Sequence, residues 1–357
     1  MFQAPPIPAP ERQLEAELQR VLDTKTKPPG SLGRLETLAM QMGLAQGTTR
    51  PTVMRPAIIL FAGDHGVVEE GVSAWPQAVT AQMVENMLAG GAAINVLADT
   101  LDIELGIVDS GVAADLSARA QRVDRKIARG TRNFAKHSAM SADERDRALT
   151  AGCELAVAAC ARGSNVLGFG DMGIGNTSSA AMIMSLVADR PMAECVGAGA
   201  GLDESGIAFK RSVLERAAAR VHAALEDADP ATPGGALAVL AECGGFEIAM
   251  MAGAMLGAAS CRALVVVDGF IAGAAALTAR TVAADINPYL VWAHRSAERG
   301  HAAMLESLDA VPLLDLGMRL GEGTGAALAV PLLRAAAAVI NDMASFEEAR
   351  VSGRAGD

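Results

Sequence analysis

Six apolar runs of strand length, each closing on a small or acidic turn, constrain this chain more than any other feature. AIILFA leads into Gly63-Asp64-His65-Gly66, IELGIV into Asp109-Ser110-Gly111, and NVLGF into Gly170-Asp171. ALVVV leads into Asp268-Gly269, YLVWA into His294-Arg295-Ser296, and PLLDL into Gly317. Continuous runs of Val, Ile and Leu suit strands covered on both faces, as in parallel sheets. Segments of helix-like composition at 79–98, 143–162, 205–227 and 270–284 separate most of them. Alternating strands and helices predict an α/β fold with a doubly wound, mostly parallel, Rossmann-like sheet. Ligands of such sheets bind outside the carboxyl ends of the strands, where all six turns would lie.

The two chain ends differ from this middle. Residues 11–22 and 31–45 have helical spacing around the breaker DTKTKPPGS, and the Ala-rich segment 324–344 predicts a long terminal helix. The expected organisation has residues 1–50 as the N-terminal helical part of a small domain and 51–320 as the large α/β catalytic domain. Residues 321–357 complete the small domain with a helix and end in a polar tail. Ile248 to Ser260 is uncharged but only 13 residues long. A membrane span needs about 20, so a buried helix is expected there. The N-terminus MFQAPPIPAPERQLE has neither a basic region nor an apolar run, which argues against a secretory signal. With 30 basic against 41 acidic side chains, a net charge of −11 and 3% aromatics, nucleic acid is not an expected partner. Five cysteines without a C-x-x-C pair suggest small core residues, not a disulfide frame or zinc site. A cytoplasmic protein that touches no membrane is the expectation.

Residues 165–187 combine a strand, a Gly-rich turn and a helix start. Gly168-x-Gly170-x-x-Gly173 approximates a dinucleotide fingerprint, and Gly170-x4-Gly175-Asn176-Thr177 approximates a P-loop with Asn176 in place of lysine. Without that lysine a nucleoside triphosphate is disfavoured, and a single phosphate at the helix start is the economical reading. A second Gly-rich loop, 197–203, leads into a helix carrying Lys210, which either supplies charge to the same phosphate or faces solvent. In HRSAERGH, Ser296 is expected to cap a helix, with or without an anion. Asp64-His65 lacks a second cluster of histidines, and Asp268 stands without an acidic neighbour, so neither a metal site nor a magnesium-diphosphate donor is expected. Glu322 lies among Gly321, Gly323 and Gly325 just before the terminal helix. It is either a ligand-reachable general base or a carboxylate interacting with the helix dipole.

Taken together, the stretches DTKTKPPGSLGRLE, FAGDHGVVEEGVSAWPQAVTAQMV, GFGDMGIGNTSSAAM, GAGAGLDESGIAFK, AECGGFEIAMMAGAMLGAA, VVVDGFIAGAAAL, AHRSAERGH and LLDLGMRLGEGTGAALA resemble the nicotinate-nucleotide:dimethylbenzimidazole phosphoribosyltransferases of cobalamin synthesis. They run in order from about residue 23 to 343. The resemblance implies a homodimer that takes nicotinate mononucleotide and an aromatic base, without cofactor or metal. It implies Glu322 as general base, with Gly173, Gly175, Lys210 and Ser296 around the phosphate. Asp171 and Asn176 join the substrate-binding set, and Trp75 and Met83 fall in the segment that lines the base pocket. Two positions depart from the family's pattern, which often has Glu where Asp171 stands and Arg where Ala198 stands. Transfer to another aromatic acceptor, hydrolysis of the nucleotide, and a nucleotide sensor without turnover are the competing readings.

Overall fold

A computed structural model describes residues 2–117, 122–226 and 228–352. After a 3-10 turn at Arg12–Leu14 come helices α1 (Glu15–Asp23) and α2 (Arg34–Gln46), then strand β1 (Ala57–Gly63). Helices α3 (Ala78–Leu88) and α4 (Ala93–Thr100) lead to β2 (Glu104–Gly111), β3 (Arg122–Asp124), α5 (Ala142–Ala161) and β4 (Val166–Met172). Helices α6 (Asn176–Val187), α7 (Met192–Cys195), α8 (Glu204–Leu225), α9 (Pro233–Cys243) and α10 (Phe246–Ser260) follow, then β5 (Leu264–Val267) and α11 (Phe270–Val282). Strand β6 (Leu290–Trp292), α12 (Arg299–Ser307), α13 (Thr324–Asp342) and α14 (Phe346–Ala349) complete the chain.

The strands form one parallel sheet in the order β3-β2-β1-β4-β5-β6. This is the doubly wound order, with its topological switch between β1 and β4. Every residue of β1 and β5 is buried, as continuous apolar strands require when helices cover both faces. On one face α5 and α10 pack so closely that backbone meets backbone: a Cβ on Gly152 would lie 1.8 Å from the Met250 carbonyl oxygen. Ser141 and Glu144 start α5 by a reciprocal capping box.

Five of the six apolar runs are strands; PLLDL is not. Residues 312–316 run beside β6 through one isolated bridge, His294 to Leu314, and none of them is buried. Pro312 lacks a donor and the segment lies at the sheet's outer edge, so it has no second neighbour to bury it. The edge strand β3 has no counterpart among the apolar runs. It has three residues, none buried, and exists only because β2 offers a free edge. The predicted helix 79–98 breaks into α3 and α4 at Gly90-Gly91, where Gly90 has φ +83°. The helix expected over 205–227 ends at Leu225, and Asp227 lies outside the described residues.

Helix α2 packs against α13, and Lys25 bridges to Ser345, so the two chain ends meet. The start of the tail forms α14, capped by Ser345; residues 353–357 lie outside the described residues. Helix α13 is long and apolar enough to cross a membrane, but 56% of its apolar window is buried against the rest of the protein. All five cysteines are free, and Cys261 is exposed instead of forming part of the core.

Candidate active site

The carboxyl ends of β4, β5 and β6 open into one pocket of about 900 Å³, continuous with solvent. Six of the residues singled out in the sequence line it: Asp171, Gly173, Gly175, Asn176, Lys210 and Ser296. The Gly-rich turn is shaped by close approach. A Cβ on Gly173 would meet the Gly63 carbonyl oxygen at 2.3 Å, and Gly175 has φ +96° as it opens α6. The start of α6, at Gly175, Asn176 and Thr177, therefore lines the pocket, and the positive end of a helix there favours an anion.

Lys210 is 1% exposed although it lies on a helix of mixed composition, and its Nζ donates to Thr177 Oγ1 at 2.7 Å. Burial pulls its ammonium down to about 8, while the Glu298 carboxylate pulls the other way. The alternative of a solvent-facing lysine is thereby excluded. Glu298 accepts from Gly199 N at 3.1 Å and so anchors the second Gly-rich loop to the pocket wall.

Ser296 reaches the pocket by a different route from the one expected. Helix α12 starts at Arg299 with Glu298 before it, so Ser296 is not its cap. Ser296 Oγ accepts from Glu298 N at 3.2 Å, and Ser296 N donates to His301 Nδ1 at 2.8 Å. The chain bends through Ala297 and is still extended at Glu298, because these local hydrogen bonds compete with helix.

Glu322 is 4% exposed and does not itself form the pocket wall, although Gly321 beside it does. The flanking glycines therefore do not expose the carboxylate, contrary to the sequence expectation. They allow three consecutive left-handed residues, with φ +84° at Gly321, +62° at Glu322 and +82° at Gly323. A left-handed glutamate is strained by about 1 kcal/mol or more, a cost that clusters at functional turns. Its carboxylate accepts from Ile94 N at the start of α4, and Oε2 has no protein partner. Burial raises its proton affinity above the ordinary glutamate range.

Asp171 and Asp268 are its acidic neighbours. Burial raises Asp171 to about 8, helped by the charge of Asp268 and opposed by a 2.8 Å hydrogen bond from Asn176 Nδ2. Burial likewise raises Asp268 to about 7, against hydrogen bonds from the start of α13. Trp75 and Met83 do not line the pocket. Trp75 stands half exposed at its rim, where Nε1 donates to the Ala200 carbonyl at 2.8 Å, and Met83 on α3 packs partly buried against the core. Sequence reasoning missed Thr177, Glu298, His294 and Arg319 as lining residues. Thr177 and His294 carried a usable signal, the first in the P-loop-like motif and the second directly after a strand. Arg319 Nη1 donates to the Gly199 carbonyl at 3.3 Å, bringing a guanidinium to the loop where Ala198 offers none. Among the described residues no group of three or more His, Cys, Asp or Glu is arranged to hold a metal.

Residues 7–351 match a family model described as phosphoribosyltransferase. The chain belongs to that family. A relative from Cupriavidus necator, named nicotinate-nucleotide–dimethylbenzimidazole phosphoribosyltransferase, is 53% identical over 98% of this chain and 99% of its own length. A relative of the same name from Aromatoleum aromaticum is 51% identical over 98% of each chain. The crystal structure of CobT from Thermus thermophilus superposes with a TM-score of 0.90 at 44% identity, covering 96% of this chain and all of that one. Family membership and the six-stranded parallel sheet therefore agree with what the quoted segments implied.

Proposed function

We propose that the protein transfers the phosphoribosyl group of nicotinate mononucleotide to 5,6-dimethylbenzimidazole, giving α-ribazole 5′-phosphate and nicotinate for cobalamin assembly. The observation that carries this reading is a single pocket lined by a buried cation and a helix start, with a buried, strained carboxylate directly behind the Gly321 stretch of its wall. Lys210, Thr177 and the positive end of α6 suit a monophosphate. Ser296 lines the same pocket.

In the substrate the glycosidic nitrogen is a pyridinium cation, so it leaves as a neutral ring and needs no general acid. The benzimidazole nitrogen attacks C1′ from the opposite face, forming the new C–N bond as the old one breaks and inverting β to α. The attacking ring gains a positive charge, which disperses when Glu322 takes the proton from its second nitrogen. A raised proton affinity suits a base working near neutrality. The reaction calls for neither cofactor nor metal. Holding both rings in line supplies much of the acceleration. The aromatic acceptor enters on the side where Trp75 stands at the rim, on the segment that also carries Met83. Residues 1–50 and 321–357 serve as a small helical domain beside the catalytic part at 51–320, in a cytoplasmic homodimer.

Glu322→Gln tests the assignment, because it retains size and a hydrogen-bonding oxygen but loses basicity. Both substrates should bind nearly as before while turnover falls ~10²-fold or more. Mass spectrometry of the wild-type products separates the readings: ribose 5-phosphate in place of a benzimidazole nucleotide would make the protein a hydrolase, and no release of nicotinate would make it a sensor.

A further inference from the structure

The turn that follows β1 carries two buried polar residues, Asp64 and His65, to which the reaction gives no role. His65 Nε2 lies 2.5 Å from Glu247 Oε1 at the start of α10, and Nδ1 lies 3.0 Å from Ser179 Oγ on α6. Serine, imidazole and carboxylate form the grouping of a hydrolytic triad, but none of the three is exposed, so no substrate reaches the hydroxyl. A carboxylate oxygen accepts, so Nε2 carries a proton, and in the neutral ring Nδ1 then accepts from Ser179. The row fastens α6, one turn from its start, to the ends of two other elements.

Asp64 makes a second tie. Its carboxylate accepts from Ala113 N at 2.8 Å and from the Thr80 hydroxyl on α3. Thr80 Oγ1 in turn accepts from Ile174 N at 3.1 Å, in the middle of the Gly-rich turn. That turn also rests on the imidazole: a Cβ on Gly173 would lie 3.4 Å from the ring carbon Cδ2, and one on Gly175 3.3 Å from His65 Cβ. Gly173, Ile174 and Gly175 line the pocket, whereas Asp64, His65, Thr80 and Ser179 stand behind it. A glycine-rich segment has wide backbone freedom, so neighbours must impose its conformation, and hydrogen bonds in a water-free interior impose it sharply. We infer that Asp64 and His65 are positioning residues: through Thr80 and Ser179 they hold the Gly173–Gly175 turn and the start of α6 in the geometry that binds the nucleotide. That nucleotide is the nicotinate mononucleotide of the transferase reading, on which this inference rests.

Two substitutions at one position separate positioning from packing. Thr80→Val keeps the volume but loses the hydroxyl that joins Ile174 N to Asp64, whereas Thr80→Ser keeps the hydroxyl and loses a buried methyl. Calorimetry on the full-length protein, well below its melting temperature, reads the Kd for nicotinate mononucleotide, and melting curves read stability. The Kd should rise roughly 10-fold in Thr80→Val, and stay within about twofold of wild type in Thr80→Ser even though both variants melt lower. Ser179→Ala cuts the His65 tie without touching α3, and it should raise the Kd by a similar factor. A Kd within about twofold of wild type in Thr80→Val or in Ser179→Ala would overturn the inference, and so would equal weakening in Thr80→Ser and Thr80→Val. A wild type that binds nicotinate mononucleotide but transfers nothing refutes the transferase reading alone, because the Kd comparison needs no turnover. Where the wild type does not bind it, inorganic phosphate serves as the probe in the same comparison.

Discussion

Lys210→Met should make the free protein more stable and the nucleotide complex weaker. Met is close to lysine in length and flexibility, so the buried stem keeps its packing. What disappears is a buried ammonium held from 10.5 down to about 8, with burial as the main cause. That gap corresponds to on the order of 3 kcal/mol of folding free energy at any pH below about 8. Against it stands the hydrogen bond to Thr177, whose hydroxyl loses its donor at a cost of about 1 kcal/mol. A net gain of roughly 2 kcal/mol remains, or about 3 °C in Tm for a chain of this size. The pH dependence has a definite sign. Below about 8 the lysine is charged in both folded and unfolded states, and the whole cost is present. Between about 8 and 10.5 the folded protein gives up the proton first, so wild-type stability rises toward that of the variant. Binding moves the other way, because a phosphate adds to the counter-charge of Glu298, which by itself does not offset the burial of Lys210. The variant's Kd for nicotinate mononucleotide should rise roughly 10- to 100-fold. Wild-type affinity should weaken as pH climbs past about 8. Calorimetry in buffers of different ionisation enthalpy and melting curves from pH 7 to 10.5 read both effects. Equal melting temperatures at pH 7 together with an unchanged Kd would refute the reasoning.

Two further outcomes follow from close contacts and buried charge. Gly170→Ala places a Cβ 2.4 Å from the Glu322 carbonyl oxygen and 2.7 Å from Gly323 N, both backbone atoms. The turn that holds Glu322 must move, so stability should drop by about 1–3 kcal/mol and kcat by ~10-fold or more; kinetics matching the wild type would show that the turn's position is unimportant. For Asp171→Asn the relevant quantity is the difference in Tm from wild type. The folded protein keeps a proton on Asp171 up to about 8, whereas the unfolded carboxyl loses it near its ordinary value of 3.8. The stability this contributes is fully present below about pH 4 and is lost as pH rises through about 8. The variant should therefore melt close to wild type at pH 4 and progressively above it by pH 8.5. A difference independent of pH would mean that burial does not perturb Asp171.

Local chemistry determined much of this protein from the sequence alone. Five strands, the position of the ligand loops at their ends, the Gly-rich start of α6 and the Gly-Glu-Gly turn at 321–323 were all legible, because each depends on residues adjacent in the chain. Apolar runs bury themselves in any sheet, and only glycine tolerates the backbone at positions such as Gly175. Other features were decided by tertiary structure. Edge strand β3 pairs because β2 has a vacant side, and PLLDL fails as a strand because nothing covers its outer face. Lys210 is a pocket residue because α6 and the loop at 197–201 close over it, and Glu322 is buried because the start of α4 meets its carboxylate. Asp268 acquires its hydrogen bonds only when α13, more than fifty residues later, delivers the Ala326 amide. Burial, hydrogen-bond partners and proton affinity are properties of a place in space, and distant segments of the chain supply the atoms that define that place.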